Sequence, residues 1–235
     1  MSSFSFKEFI IRQDNSALKV GTDAMLLGAL IESESHNKCL DIGSGTGVLS
    51  LMIAQRNSTI EIDAIEIDCL SFIDLKLNFS LSKWSDRLNG ICEDFFSFRI
   101  DEFQKYDLIV SNPPFYETTF QNNQFNIAKA KHESHLPFES LFMRVNSLLT
   151  NEGMFWMILP TENTLKWKEY CLKLKLYCIK EITLFAKPGK SKRSVLVFSK
   201  TIREFKQINI LIRNENNTYS EDYRRLTLDF HNKEI

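Results

Sequence analysis

The chain lacks any Cys-x-x-Cys pair: its five cysteines, Cys39, Cys69, Cys92, Cys171 and Cys178, are odd in number and scattered. That spacing argues against both a disulfide framework and a zinc site, and makes a reducing cytosol the natural reading. No apolar run approaches the ~20 residues needed to span a bilayer. The amino terminus, Met1-Ser-Ser-Phe-Ser-Phe-Lys-Glu, has no basic stretch followed by an apolar core, so secretion and membrane insertion are both disfavoured. An excess of either charge is missing too. Lys and Arg total 29 against 30 Asp and Glu, a net charge of -1, so any contact with a polyanion must come from local patches. Internal repeats, low-complexity stretches and Gly/Ser linkers are absent.

What is present is an ordinary globular composition, 235 residues with 43% hydrophobic and 25% charged side chains. A chain of that length fits a single core. The expected organisation is therefore one domain over residues 1–235, with an amino-terminal cap segment (1–36), a core (37–200) and a carboxyl-terminal extension (201–235).

After a segment of small and apolar residues, Ala24 to Ile31, short apolar runs begin to alternate with helical spacing, the pattern of a βαβ series. Strands are predicted over Cys39 to Ile42, Ile60 to Ile67, Leu88 to Cys92 and Tyr106 to Val110. Helices are predicted over Val48 to Gln55 and Cys69 to Leu81, the second with Leu70, Ile73, Leu77 and Leu81 on one stripe. Phe138, Leu141, Phe142, Val145, Leu148 and Leu149 recur at helical spacing, and Pro137 stands where a first-turn proline is tolerated. Gly153 to Leu159 is apolar throughout, as a strand buried on both faces would be, and Pro160 closes it. A polar helix, Thr161 to Leu174, follows. Tyr177 to Phe185 and Ser194 to Ser199 flank the turn-like Lys187-Pro-Gly-Lys190, which predicts a hairpin with at least one antiparallel strand.

Two motifs at strand ends carry the chemistry. Asp41-Ile-Gly-Ser-Gly-Thr-Gly47 follows the first core strand. A dinucleotide fingerprint starting at Gly43 would need glycine at Val48, so the dehydrogenase pattern fails. A carboxylate beside a Gly-x-Gly-x-Gly turn suits a cofactor with a cationic amino acid end and no pyrophosphate, which is S-adenosylmethionine. Glu66, at the end of the next strand, is positioned to accept both ribose hydroxyls, and Asp94 to meet the adenine amine. The glycines alone could merely make a tight turn, and Asp94 could simply start one.

The second motif is Asn112-Pro113-Pro114-Phe115. An exocyclic adenine amine is a poor nucleophile because its lone pair is delocalised into the ring. If the Asn112 side-chain oxygen and the Pro113 carbonyl each accept one N–H, the nitrogen is drawn toward tetrahedral geometry and its lone pair can face a sulfonium methyl. The prolines fix the carbonyl, Phe115 offers a face for a flat base, and Tyr116 extends that platform. A cysteine at position 115 would have pointed to carbon methylation through a covalent adduct, and it is absent. In isolation the motif also fits a plain Pro-Pro turn with a buried Phe.

His132 and His135 are three apart, but no carboxylate or cysteine array completes a metal shell, so no metal is expected. Lys129, Lys131 and His132 form one basic cluster, and Lys187, Lys190, Lys192 and Arg193 another. Both are candidate phosphate contacts, against the alternative of ordinary solvated surface.

The chain resembles class I S-adenosylmethionine-dependent methyltransferases, and more narrowly the bacterial tRNA(Val) adenine-N6 methyltransferase family. The resemblance covers nearly the whole chain. It runs through Phe6-Lys-Glu-Phe-Ile-Ile-Arg-Gln13, Ala17-Leu-Lys-Val-Gly-Thr-Asp23, Leu40-Asp-Ile-Gly-Ser-Gly-Thr-Gly47, Leu51-Met-Ile-Ala-Gln-Arg56, Ala64-Ile-Glu-Ile-Asp68, Ser82-Lys-Trp84 and Ser111-Asn-Pro-Pro-Phe115. It implies a Rossmann-like α/β fold: a mostly parallel seven-stranded sheet with a carboxyl-terminal antiparallel hairpin and helices on both faces. It also implies N6-methylation of the adenine 3′ of the anticodon in a valine tRNA, with the anticodon stem-loop as partner, in the cytoplasm, and with no obligate protein partner. The implied cofactor site is Asp41, Gly43, Gly45, Gly47, Glu66, Asp94 and Asn112, with Thr22 over the amino acid end. Three departures stand out: Phe115-Tyr116 reverses a common Tyr-Phe order, Lys83 replaces a proline, and Lys131-His132 stands where Arg-His is usual. Two rivals remain. A glutamine side-chain methyltransferase acting on a translation factor would use the same Asn-Pro-Pro-aromatic geometry, and a non-catalytic RNA-binding scaffold could keep the same fold.

Overall fold

Strand-like runs that alternate with helices fold into a parallel sheet when each connection crosses back over one face. The computed structural model, which describes residues 2–99, 105–113 and 138–232, has this form. A hairpin of β1 (Ser3–Ser5) and β2 (Ile10–Arg12) precedes helix α1 (Thr22–Leu30). Then come β3 (Lys38–Ile42), α2 (Val48–Arg56), β4 (Glu61–Glu66), α3 (Cys69–Leu81), β5 (Leu88–Cys92) and β6 (Tyr106–Ser111). After these follow α4 (Phe138–Leu148), β7 (Leu149–Pro160), α5 (Thr164–Lys173), β8 (Tyr177–Lys187), β9 (Lys190–Ser199), β10 (Lys206–Leu211) and α6 (Glu221–Thr227).

The main sheet has eight strands in the order β10-β8-β9-β7-β6-β3-β4-β5. β9 runs antiparallel to both its neighbours, and every other pairing is parallel. The seven strands implied by the family resemblance are all present. The eighth, β10, adds parallel to β8 from within the stretch expected to be an extension.

Period-two alternation sends neighbouring side chains to opposite cores. Leu108 and Val110 of β6, with Trp156 and Ile158 of β7, pack on the side of α1, α2 and α6. Ile109, Phe155, Met157 and Leu159 pack against Leu141, Phe142 and Val145 of α4 and Trp167 of α5. The chain ends meet: the Lys7 N–H donates to the Phe230 carbonyl at 2.9 Å, and Phe6 bridges His231. Among the described residues, no helix is long and apolar enough to cross a membrane.

Helix α3 turns its apolar stripe outward. An apolar stripe ordinarily faces the core, yet Leu70, Ile73, Leu77 and Leu81 are exposed, while Ser71, Asp74, Leu75, Asn78 and Phe79 are buried. The physical reason lies in what the inner face grips. Asp74 accepts the Asn15 and Ser16 backbone N–H groups at 2.9 and 2.8 Å, and Asn78 accepts from Arg12 N–H at 2.8 Å. The Asn78 amide in turn donates to the Thr46 carbonyl at 2.9 Å. Buried backbone groups need partners more than the helix needs an apolar inner face. The amino-terminal segment is thereby fastened to the glycine turn.

Candidate functional site

In parallel α/β sheets, ligands bind beyond the carboxyl ends of strands, where the strand order reverses. Here that point is β3, with β4 on one side and β6 on the other. Ile42 pairs with both Ile65 and Ser111, Glu66 pairs with Cys92, and Ser111 pairs with Met157, so these strand ends form adjoining rows. Residues that leave them face one crevice.

The turn after β3 is built from three glycines with φ of 67° (Gly43), 55° (Gly45) and 80° (Gly47), a region that side-chain-bearing residues rarely adopt. The Gly43 and Ser44 N–H groups both donate to the Ile65 carbonyl at 3.0 Å, and Gly47 caps α2. At Gly47 a Cβ would come within 2.6 Å of Phe79 Cε1. At Gly45 a Cβ would meet nothing within 4 Å, so the backbone there lies open to a ligand.

Two carboxylates flank the turn. Asp41 is fully buried; its Oδ2 accepts from Ser50 Oγ at 2.7 Å, while Oδ1 has no hydrogen-bond partner among the described residues. Burial pushes its carboxyl up to about 7, against the Ser50 hydrogen bond and with help from the nearby Glu66 charge. Glu66 is also buried, which raises its carboxyl, while the N–H groups of Asp68 (2.8 Å) and Gly45 (2.7 Å) pull it the other way. A buried acceptor with no donor among the described residues, and a raised acid beside it, leave a demand that a cationic group would satisfy. The residues present therefore fit S-adenosylmethionine, whose cationic amino acid end and ribose match these two acids.

Asn112 follows Ser111, the register partner of Ile42, so it lies next to the start of the glycine turn. Ser111 is locked there by its Oγ, which donates to the Ile42 carbonyl at 3.0 Å. The Asn112 side chain is half-buried and makes no hydrogen bond to a described residue, and Pro113 beside it is buried. An amide with no hydrogen bond to a described residue can accept from, or donate to, a bound base. Pro114, Phe115, Tyr116, Lys129, Lys131, His132, His135 and Pro137 lie outside the described residues.

Asp94 follows β5 at the same edge and accepts the Phe96 N–H at 3.0 Å, so it does open a turn, with a half-buried carboxylate. Thr22 is exposed at the start of α1. The next residue, Asp23, accepts from Arg193 Nε at 2.7 Å, and Arg193 pairs with Pro160 at the end of β7. This brings the first turn of α1 to the same edge as the β8–β9 turn. Lys190 and Lys192 are exposed there and Lys187 is half-buried; none makes an ion pair with a described residue. Sequence reasoning missed Ser50 and Asp68, the groups that orient the two acids. The signal for Ser50 was a lone hydroxyl inside the apolar run Val48 to Ala54.

Residues 15–169 match the family model described as Methyltransferase small domain. A tRNA1(Val) (adenine(37)-N6)-methyltransferase of Flavobacterium psychrophilum is 39% identical over 98% of this chain and 99% of its own length. Proteins of the same name from Trichodesmium erythraeum and Bacteroides fragilis are 37% and 34% identical, each matched over at least 98% of both chains. Among solved structures, a protein of Agrobacterium tumefaciens described as a predicted O-methyltransferase shares the fold with a TM-score of 0.70 at 14% identity, covering 88% of this chain and 96% of that one. TYW2 of Pyrococcus horikoshii, solved with MeSAdo, gives a TM-score of 0.60 at 14% identity, covering 85% of this chain and 72% of its own. Fold and site together define a class I S-adenosylmethionine-dependent methyltransferase. Within that class, the chain belongs to the tRNA1(Val) (adenine(37)-N6)-methyltransferase family.

Proposed function

We propose that the protein methylates N6 of an adenine in tRNA, the base 3′ of the anticodon in a valine tRNA, which it meets through the anticodon stem-loop. The observation that carries this reading is the Asn112 amide, presented at the end of β6 beside the glycine turn and left without a described partner. Relatives that match nearly the full chain and bear this activity in their names support the choice of substrate.

In this reading Asp41 and Glu66 receive the amino acid and ribose portions of the cofactor, the open backbone at Gly45 admits it, Asp94 meets its adenine, and Thr22 covers its amino acid end. Bound S-adenosylmethionine supplies an electrophilic methyl group on a sulfonium sulfur. The chain's own part is to align the acceptor. The Asn112 oxygen and the Pro113 carbonyl each take one proton of the amine in a hydrogen bond, so the nitrogen is drawn toward tetrahedral geometry, its lone pair leaves conjugation with the ring and no strong base is needed. Pro114 stiffens that loop, and Phe115 stacks on a base splayed from a single-stranded loop. Lys129, Lys131, His132, Lys187, Lys190, Lys192 and Arg193 meet phosphates.

The whole chain acts as a single unit, a cap (1–36), a core (37–200) and an extension (201–235), in the cytoplasm and without an obligate protein partner. The pairing of β10 with β8 and the contact between Lys7 and Phe230 support treating both flanks as parts of that unit. Mapping methylated nucleosides in tRNA from cells with and without the gene tests the reading. Loss of N6-methyladenosine next to the valine anticodon is the expected result. Label from radioactive cofactor that resists RNase and yields to protease would instead favour the glutamine side chain of a protein.

A further inference from the structure

The two exposed cysteines lie side by side. Cys69, the first residue of α3, and Cys92, the last of β5, have their sulfurs 3.6 Å apart, whereas Cys39 and Cys171 are buried. The residues come from different elements and from positions 23 apart in the chain, so the approach is made by the fold and not by local spacing. A disulfide needs about 2.05 Å between sulfurs, a closure within reach of a side-chain adjustment and a small shift of one helical turn. Desolvation and the neighbouring Cys69 raise the Cys92 thiol.

The location gives the pair a consequence. Cys69 directly follows Asp68, whose N–H is one of the two donors to the Glu66 carboxylate. Cys92 is the register partner of Glu66 and lies two residues before Asp94. A bond between the sulfurs would span the lip between the two strand ends and draw the Asp68 turn toward β5.

We infer that Cys69 and Cys92 form an oxidation site that a two-electron oxidant of the peroxide class closes to a disulfide, and that closure weakens binding of the donor cofactor at Glu66. The second half rests on the cofactor placement proposed above. Chemically, the thiolate of one cysteine of the pair attacks one peroxide oxygen; the O–O bond breaks, a sulfenic acid forms and hydroxide leaves to be protonated to water. The sulfur of the other cysteine then attacks the oxidised sulfur, the S–S bond forms, the S–O bond breaks, and hydroxide departs with the thiol proton as a second water. Two thiols lose two electrons, and one peroxide gains them. A thiol reductant reverses the bond by exchange.

The full-length protein treated with hydrogen peroxide, digested without reductant and analysed by mass spectrometry provides the test. A Cys69–Cys92 linked peptide that disappears with dithiothreitol is expected. Sulfinic or sulfonic acids on both residues without a cross-link, or links only between molecules, would overturn the site. Calorimetry with S-adenosylmethionine then compares reduced and oxidised wild type with peroxide-treated Cys92→Ser, which cannot close. Affinity about tenfold weaker in the oxidised wild type alone, the weight of one charge-assisted hydrogen bond, is expected. Equal affinity in all three would overturn the coupling. No binding even in the reduced protein would refute the donor-site reading together with the coupling, while the mapped disulfide would stand.

Discussion

Gly45 donates its backbone N–H to the Glu66 carboxylate at 2.7 Å, so the turn after β3 and the end of β4 are held as one rigid lip. The other Glu66 oxygen takes the Asp68 N–H at 2.8 Å, which also fixes the entry into α3. Glu66 therefore shapes the lip, and in the proposed reading it also offers its remaining lone pairs to the ribose diol. Glu66→Ala should weaken cofactor binding by roughly 10- to 100-fold, the weight of one or two charge-assisted hydrogen bonds. Glu66→Gln should fall between that variant and wild type. Isothermal calorimetry checks both, and an unchanged affinity in the alanine variant would remove Glu66 from the site.

Asp41 predicts a pH dependence with two faces. Its carboxyl titrates near 7 in the folded protein, above the ordinary value of 3.8, because burial disfavours the charge. The stability it contributes is thus present at pH below ~4 and lost as pH rises through ~7, because the folded state holds the proton more tightly than the unfolded one. Asp41→Asn should accordingly stabilise the ligand-free protein at pH 8, by on the order of a few kcal/mol, with little change at pH 4. Cofactor binding should move the opposite way. A cationic ligand prefers the ionised acid, so wild-type affinity should rise between about pH 6 and 8, while the Asn variant stays weak with a shallower profile. Thermal melts and calorimetry across pH measure the two effects, and parallel affinity profiles would count against a charge role.

Gly47 and Gly45 share a left-handed backbone but differ in their surroundings. Alanine at either position costs about 1–2 kcal/mol in conformation. At position 47 the new methyl group also meets Phe79 at 2.6 Å, and repacking there adds about 1–3 kcal/mol. Gly47→Ala should therefore lower the melting temperature by on the order of 5–10 °C, and Gly45→Ala by less. Equal shifts would mean that Phe79 yields without cost.

The core of the fold was legible because central strands such as β6 and the second half of β7 are buried on both faces and read as apolar runs. Leu88–Cys92 and Cys69–Leu81 agree with the expected bounds at both ends. β10 was not legible: Ile208 and Ile210 alternate with polar residues, and its first four residues are exposed, so neither burial nor composition marks it. The three-residue strands of the β1–β2 hairpin are too short to carry a pattern. For α3 the period was legible, but the face it buries was not. Asp74 and Asn78 look like surface residues until the backbone of residues 12–16 is laid against them. In the site, Asp41 and Glu66 were legible from motif spacing. Ser50 and Asp68 were not, because a supporting hydrogen bond leaves no spacing rule in a single sequence.

The β8–β9 turn offers a test of the RNA face that leaves the chemistry alone. Lys190 and Lys192 are exposed and, with Lys187, make no ion pair with a described residue, whereas Arg193 is engaged by Asp23. Each lysine that neutralises a phosphate releases counterions, so the logarithm of affinity falls with the logarithm of salt by ~0.7–0.9 per contact. Replacing Lys187, Lys190 and Lys192 by alanine should weaken tRNA binding and flatten that slope by about 2–3. Turnover at saturating tRNA should change little. A slope equal to that of wild type in filter-binding titrations would assign the turn to plain solvated surface.

Asn112 separates acceptor alignment from donor binding. It follows Ser111 at the end of β6, while the two acids proposed to hold the cofactor are on β3 and β4. Removing the amide leaves Asp41 with Ser50 and Glu66 with Gly45 intact, so Asn112→Ala should keep cofactor affinity within about threefold of wild type, less than the ~1.4 kcal/mol of a tenfold change. Turnover should fall by about 100-fold or more, since the amine then keeps only the Pro113 carbonyl as a partner and its lone pair stays conjugated with the ring. Asn112→Asp retains an oxygen acceptor at the same place but loses the amide donor, and should recover part of the rate if acceptance of the amine proton is what matters. Single-turnover assays on unmodified tRNA, read beside cofactor calorimetry, distinguish the cases. Equal losses of binding and rate in the alanine variant would show that the β6 loop supports the donor pocket itself, and the division between the two strand ends would have to be abandoned.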